Sequence, residues 1–166
     1  MTDQLSAPAI APGWQPLPAR ARSLFRVTDA LVMAVLLGFA GALSATALDF
    51  DRAAALGFAG IVVGIALGLA TGGYRHRRTQ WVLDEEGFAV ARGRWWRRET
   101  RVPATRVQHL DLKHGPLERR WRLATLVVHT AGSKFGAVSL SGLDAEDAEA
   151  LRDRLARQLD IDDDAL

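Results

Sequence analysis

Two long stretches of this chain, residues 30–48 and residues 53–74, contain no charged side chain, and most of the charge follows Arg75. Each stretch approaches or exceeds the ~20 apolar residues that a helix needs to cross a bilayer. Neither shows the polar stripe that a helix on a soluble surface turns toward water. Only Asp49-Phe50-Asp51-Arg52 separates them, and so short a link forces the two helices to run antiparallel. The pattern predicts a transmembrane hairpin over residues 27–75 rather than a buried hairpin of a soluble protein. No charged residue lies mid-span, which argues against a transport path or proton relay within the hairpin.

Positive charge is retained on the cytoplasmic side of spanning helices. Arg20, Arg22 and Arg26 precede the first span, Arg75, Arg77 and Arg78 follow the second, and the connecting loop has one Arg against two Asp. Both termini are therefore expected in the cytoplasm. Ala45-Thr46-Ala47 after an Arg-rich, apolar lead also fits a cleaved signal peptide, but the length of that lead and the second span close behind argue against cleavage. Small residues recur at four-residue steps: Ala30, Ala34, Gly38, Ala42 and Thr46 in the first span, Gly60, Gly64, Gly68 and Gly72 in the second. In lipid, such residues let backbones approach closely. They serve either packing of the hairpin on itself or docking on a second copy or a partner's helices.

Outside the hairpin the pattern is different. Residues 1–26 hold Pro8, Pro12, Pro16 and Pro18 and read as a disordered leader, in which Trp14 suits the membrane surface. From residue 79 short β-type runs follow one another: 80–84 and 88–92 around the turn Glu85-Glu86-Gly87, 95–102 after Gly93-Arg94, and 106–113. Gly115-Pro116 breaks the run, and residues 117–121 make one helical turn. Residues 124–130 are apolar enough for a central strand, and Ala131-Gly132-Ser133 turns the chain into 135–140. Asp144 is placed to cap a helix whose Ala148, Leu151, Leu155 and Leu159 form one apolar stripe. Residues 161–166 are an acidic tail. The fold class is thus a membrane α-hairpin plus a small all-β barrel or bent sandwich over residues 79–160, capped by a C-terminal helix.

Four linked motifs in this region carry a resemblance. They are Val102-Pro103, Arg106-Val107-Gln108, Gly115-Pro116-Leu117-Glu118-Arg119, and the strand ending Thr130-Ala131-Gly132. In this order and spacing they resemble the bacterial pleckstrin-homology-like membrane proteins, the YdbS-like group, over about residues 28–160. The motif residues are Pro103, Arg106, Gln108, Gly115, Pro116, Leu117, Arg119, Thr130 and Gly132. The family pattern carries Gly-Leu after the turn-helix, where this chain has Arg122-Leu123. The resemblance implies a pleckstrin-homology-like barrel with a C-terminal helix, held on the cytoplasmic face of the membrane. It implies no reaction. Members often accompany a larger relative with several such domains, which implies a membrane complex.

Composition narrows the chemistry. There is no cysteine, so disulfides, thiolate metal sites and cysteine nucleophiles are excluded. The net charge is only +2, which with membrane anchoring disfavours nucleic acid. The densest basic–aromatic cluster is Arg94, Trp95, Trp96, Arg97 and Arg98. If Trp95 and Trp96 share a strand they point to opposite faces, so one lies on an Arg-rich surface and marks a docking edge for lipid or protein. Arg106, Arg119, Arg120 and Arg122 form a second basic group, in which Arg106 and Gln108 are positioned to pair with Asp111 or Glu118. That group either holds the turn or offers an edge to a partner chain. His109, His114 and His129 could bring two imidazoles to Asp111, the composition of a metal site, yet ordinary strand histidines explain them better, and no metal or cofactor is expected. No nucleophile elbow or phosphate-cradling glycine loop is present. The reading is a non-enzymatic membrane protein whose domain serves as adaptor in a membrane complex or in envelope maintenance. Its partners are membrane lipid and a protein, either a larger relative or a second copy. The alternatives are direct recognition of anionic lipid headgroups and an accessory role to an enzyme or transporter encoded elsewhere.

Overall fold

In a computed structural model of the chain, the structure describes residues 13–44, 50–93, 96–130 and 136–163. The chain divides into two compact units, Arg22–Arg77 and a second unit formed by Met1–Ala21 with Arg78–Leu166.

The first unit is the hairpin of α1 (Ala21–Ser44) and α2 (Phe50–Arg77), both long and apolar enough to span a membrane. At 1.5 Å per residue, the 24 residues of α1 extend about 36 Å. Only 11% and 17% of their most apolar windows are buried, whereas a core helix of a soluble protein is mostly covered. Leu31, Val35, Phe39, Phe58 and Val62 all face outward, the arrangement of a lipid-facing surface. The two small-residue stripes face each other. A Cβ at Gly60 would run into the Leu37 carbonyl, at Gly64 into that of Met33, at Gly68 into the Ala30 backbone and at Gly72 into the Phe25 carbonyl. On the other helix, a Cβ at Gly41 would lie 2.5 Å from the Leu56 carbonyl oxygen. Residue numbers rise on one helix as they fall on the other, so the glycines set an antiparallel contact in which backbone touches backbone. Thr46 lies outside the described residues.

The second unit begins before the hairpin. Strand β1 (Gln15–Pro16) pairs antiparallel with β2 (Gln80–Asp84), Gln15 opposite Trp81. β3 (Gly87–Arg92) and β4 (Arg98–Val102) complete a sheet of order β1-β2-β3-β4. A 3-10 turn at Ala104–Arg106 leads to β5 (Val107–Lys113), the short helix α3 (Pro116–Arg120), β6 (Leu123–Thr130) and β7 (Ala137–Asp144), which form the sheet β5-β6-β7. The helix α4 (Ala145–Asp163) packs on β5, β6, β7 and the 3-10 turn. Trp81, Phe88, Leu123, Leu126, Val128, Leu140, Leu143, Leu151 and Leu155 make the core. The α4 stripe of Ala148, Leu151 and Leu155 is fully buried; the Leu159 side chain is outside the described set. Asp144 Oδ1 accepts the Glu146 N–H at 3.4 Å, the capping contact its position suggested.

Two elements differ from the sequence expectation. The leader, read as disordered through residue 26, supplies an ordered edge strand, a buried Leu17 and the start of α1. Proline suits this edge, because Pro16 withholds a donor where no further strand follows among the described residues. Of the strand expected over 95–102, residue 95 lies outside the described residues, Trp96 and Arg97 are not in strand, and β4 starts at Arg98, paired with Arg92. β1 precedes α1 and β2 follows α2, yet the two pair in one sheet, so the domain's chain is contributed from both flanks of the hairpin.

Candidate functional site

The β3–β4 turn presents the most exposed large apolar side chain among the described residues. Trp96 is 91% exposed. Gly93 makes the turn with φ +89°, and a Cβ there would collide with the Trp96 carbonyl, so the backbone permits only glycine at low cost. The Arg97 guanidinium stacks on the Trp14 ring at 5.4 Å, tying the leader to this turn. Trp14 is thus half-buried within the domain rather than a free aromatic. Arg94 and Trp95 lie outside the described residues. Arg98 heads β4, opposite Arg92. Both arginines line a cleft of about 220 Å³ with Val90, Thr100 and residues 137–139, so that β3, β4 and β7 form its walls. Arg92 crosses it to donate a hydrogen bond to the Ser139 carbonyl.

The motif residues build a turn. Pro103 precedes the 3-10 turn, and its carbonyl accepts the Arg106 N–H at 3.0 Å. Gln108 sits at the β-bulge between Val107 and His109. Pro116 opens α3, Leu117 is half-buried, and the Arg119 N–H reaches the Gly115 carbonyl at 2.9 Å. Buried Glu118 accepts the Gly115 N–H at 2.7 Å and the Thr125 hydroxyl at 2.5 Å. The expectation that Glu118 would pair with Arg106 or Gln108 is corrected: its two oxygens are engaged by the turn itself and by β6. Glu118 stands three residues after the cap position, the spacing by which a carboxylate reaches back to the cap N–H, and that signal was readable. The Thr130 N–H donates to the Gly136 carbonyl at 3.1 Å, while Gly132 lies outside the described residues.

Asp111 likewise has other partners than Arg106 or Gln108. His109 Nε2 lies 2.8 Å from its Oδ1 and His129 Nε2 3.1 Å from its Oδ2. His109 and His129 are cross-strand neighbours with ring centroids 5.7 Å apart, and Asp111 is two residues along β5 on the same face. The hydrogen bond from His129 holds the Asp111 carboxyl below its ordinary value, partly offset by desolvation and reinforced by His109. His114 stands apart, its Nδ1 3.4 Å from the Leu123 carbonyl oxygen. No group of three metal-type ligands with suitable geometry occurs among the described residues. At the start of α4, burial raises the Asp147 carboxyl, as does neighbouring Glu146.

A membrane-spanning hairpin joined to two antiparallel sheets and a closing helix defines a membrane-anchored pleckstrin-homology-type protein. The chain belongs to the bacterial PH domain family, whose model matches residues 21–159. It is also 32% identical over 90 residues to the UPF0699 transmembrane protein YdbS of Bacillus subtilis (strain 168). That match covers 54% of this chain and 55% of the relative, so it spans about half the length of each. No solved structure matches the chain.

Proposed function

We propose that this protein is a non-enzymatic adaptor of a bacterial inner-membrane complex, with its PH domain on the cytoplasmic face and the β3–β4 turn as its docking edge. The observation that supports this reading is Trp96, 91% exposed on a turn whose backbone Gly93 fixes. Tryptophan and arginine are the residues that most often anchor protein interfaces, and Trp96 is followed by Arg97 and Arg98. A water-exposed indole, with only two side-chain torsions, costs little ordering on binding. The partner of best fit is another membrane protein with a complementary apolar pocket, either a larger PH-domain protein or a second copy. The cytoplasmic orientation rests on the arginines that flank both helices.

Tagged full-length protein and its Trp96→Ala variant, purified from native membranes in mild detergent, test this. A defined chain should co-purify with the parent and be lost with the variant, while both keep the same melting point. Equal recovery of that chain with both proteins would remove Trp96 from the interface. The Arg-rich turn also supports a lipid reading, since each arginine near an anionic leaflet contributes ~1 kcal/mol. In that case binding to anionic vesicles, and its weakening by salt, should depend on Trp96, Arg97 and Arg98.

A further inference from the structure

Where α3 ends and α4 begins, a pocket of about 280 Å³ is lined by Arg20, His114, Arg119, Arg122, Leu123, Asp144, Ala145 and Glu146. Its charges are not evenly matched. Arg20 and Asp144 form an ion pair. That leaves Arg119, Arg122 and exposed Glu146, a net positive charge. Among the described residues neither the Arg119 nor the Arg122 guanidinium has a hydrogen-bond or ion-pair partner. The first N–H groups of α4 are already used, that of Ala145 by the Arg122 carbonyl and that of Glu146 by Asp144. Binding here must therefore come from the two guanidinium groups.

Arg122 carries a second, independent sign. Its φ is +53°, and it is the one non-glycine residue at positive φ among the described residues. It follows the C-cap Trp121 of α3, the position at which helices commonly end in a left-handed glycine. Glycine enters that conformation freely and a side chain does not. An arginine held there keeps a strained backbone in exchange for a guanidinium at the pocket, and such strain gathers at ligand-binding positions.

We propose that this pocket binds a phosphate group, with Arg119 and Arg122 as its two ligands and His114 at its rim. Two planar forks with ten N–H donors between them suit the oxygens of a tetrahedral dianion. The ion pair of Arg20 with Asp144 closes one wall, and Arg20 is the residue before α1 in the sequence. The phosphate source is either a lipid headgroup or a soluble phosphate. This site shares no residue with the Trp96 turn and stands whether or not that turn docks a partner.

Full-length protein in nanodiscs of neutral lipid is titrated with inorganic phosphate, and its melting point and the phosphorus NMR linewidth are followed. A second arm compares nanodiscs containing phosphatidic acid with ones containing phosphatidylserine at equal charge. Response to inorganic phosphate identifies a soluble source; response to phosphatidic acid alone identifies a headgroup. The Arg122→Gly variant decides the matter, because it releases the backbone while removing the ligand. It should melt no lower than the parent in buffer yet bind at least about tenfold more weakly, the loss expected for a charge-assisted contact. Arg119→Gln should weaken binding similarly, and Arg106→Gln, an exposed arginine away from the pocket, should not. The proposal fails if the parent responds to neither probe. It fails equally if Arg122→Gly and Arg119→Gln bind as the parent does, or if Arg106→Gln loses as much as they do.

Discussion

Arg75 Nη1 lies 2.6 Å from Asp29 Oδ1, which joins the last turn of α2 to the third turn of α1. Asp29 is 9% exposed, and the same Arg75 lies over the Phe25 ring at 4.8 Å. An acid so close to a lipid-spanning stretch is tolerated because a cation from the other helix meets it. Replacing Asp29 with Ala should destabilise the hairpin by about 1–3 kcal/mol, the range for a charged hydrogen bond left half-made. Unfolding of the full chain in detergent measures this, and the double change with Arg75→Ala should cost less than the two single changes added together. Additive costs would mean that the pair contributes nothing as a pair.

The glycine contact predicts a steeper response. Gly68→Leu would drive a side chain into the backbone of Ala30, and the helices must separate along several turns. A loss of roughly 1–3 kcal/mol is expected, with the hairpin loosened rather than merely repacked. Phe58→Leu on the exposed outer face is the control and should change little. Equal stability of the two variants in detergent would place Gly68 outside the contact.

Leu17 is 3% exposed although it lies in the proline-rich leader. Leu17→Ala should cost about 2–4 kcal/mol, as buried leucine truncations do. Urea unfolding followed by near-ultraviolet circular dichroism reads it from the domain's tryptophans. A leader that merely rested on the domain would tolerate the change without a shift in midpoint.

Pairing of β1 with β2 predicts one side of the membrane for both flanks of the hairpin. The chain has no cysteine, so single cysteines at positions 5, 50 and 166 can be labelled in intact cells without removing native thiols. Positions 5 and 166 should share one protected side and position 50 should react from outside. Labelling of positions 5 and 166 from opposite sides would contradict the sheet.

Asp111 gives a pH dependence with a defined sign. Its carboxyl is lowered from 3.8 chiefly by the His129 hydrogen bond. A lowered value in the folded state means that the stabilisation is present above the unfolded value and is lost as pH falls through the folded one. The Asp111 contribution is therefore lost as pH falls through its lowered folded value, on the acid side of the ordinary carboxylate range. Carboxyl NMR titration should show the Asp111 midpoint rise toward the unperturbed value in His129→Gln. An unchanged midpoint would mean that another group holds it down.

The hairpin was legible because lipid demands an unbroken apolar run, and residues 30–48 and 53–74 supply it. The strands of the domain were legible to within a few residues because alternation and Gly turns mark them. Pairing partners were not. Asp111 and Glu118 each had several cations or donors nearby in sequence. The bulge at Gln108 and the cross-strand register of His109 with His129 chose among them. β1 was hidden for a different reason. Two residues, one of them proline, carry no period of their own, and their strand character comes only from the edge of β2.

The barrel of this protein is therefore interrupted rather than appended. Its first strand is synthesised before the membrane helices and its other strands after them, so the sheet closes only once the hairpin has doubled back. Insertion acts as an assembly step for the domain: a chain whose second helix failed to return would leave β2 with a bare edge, a surface that recruits foreign strands. A fragment beginning at residue 79 would carry the same open edge and lose Leu17 from its core.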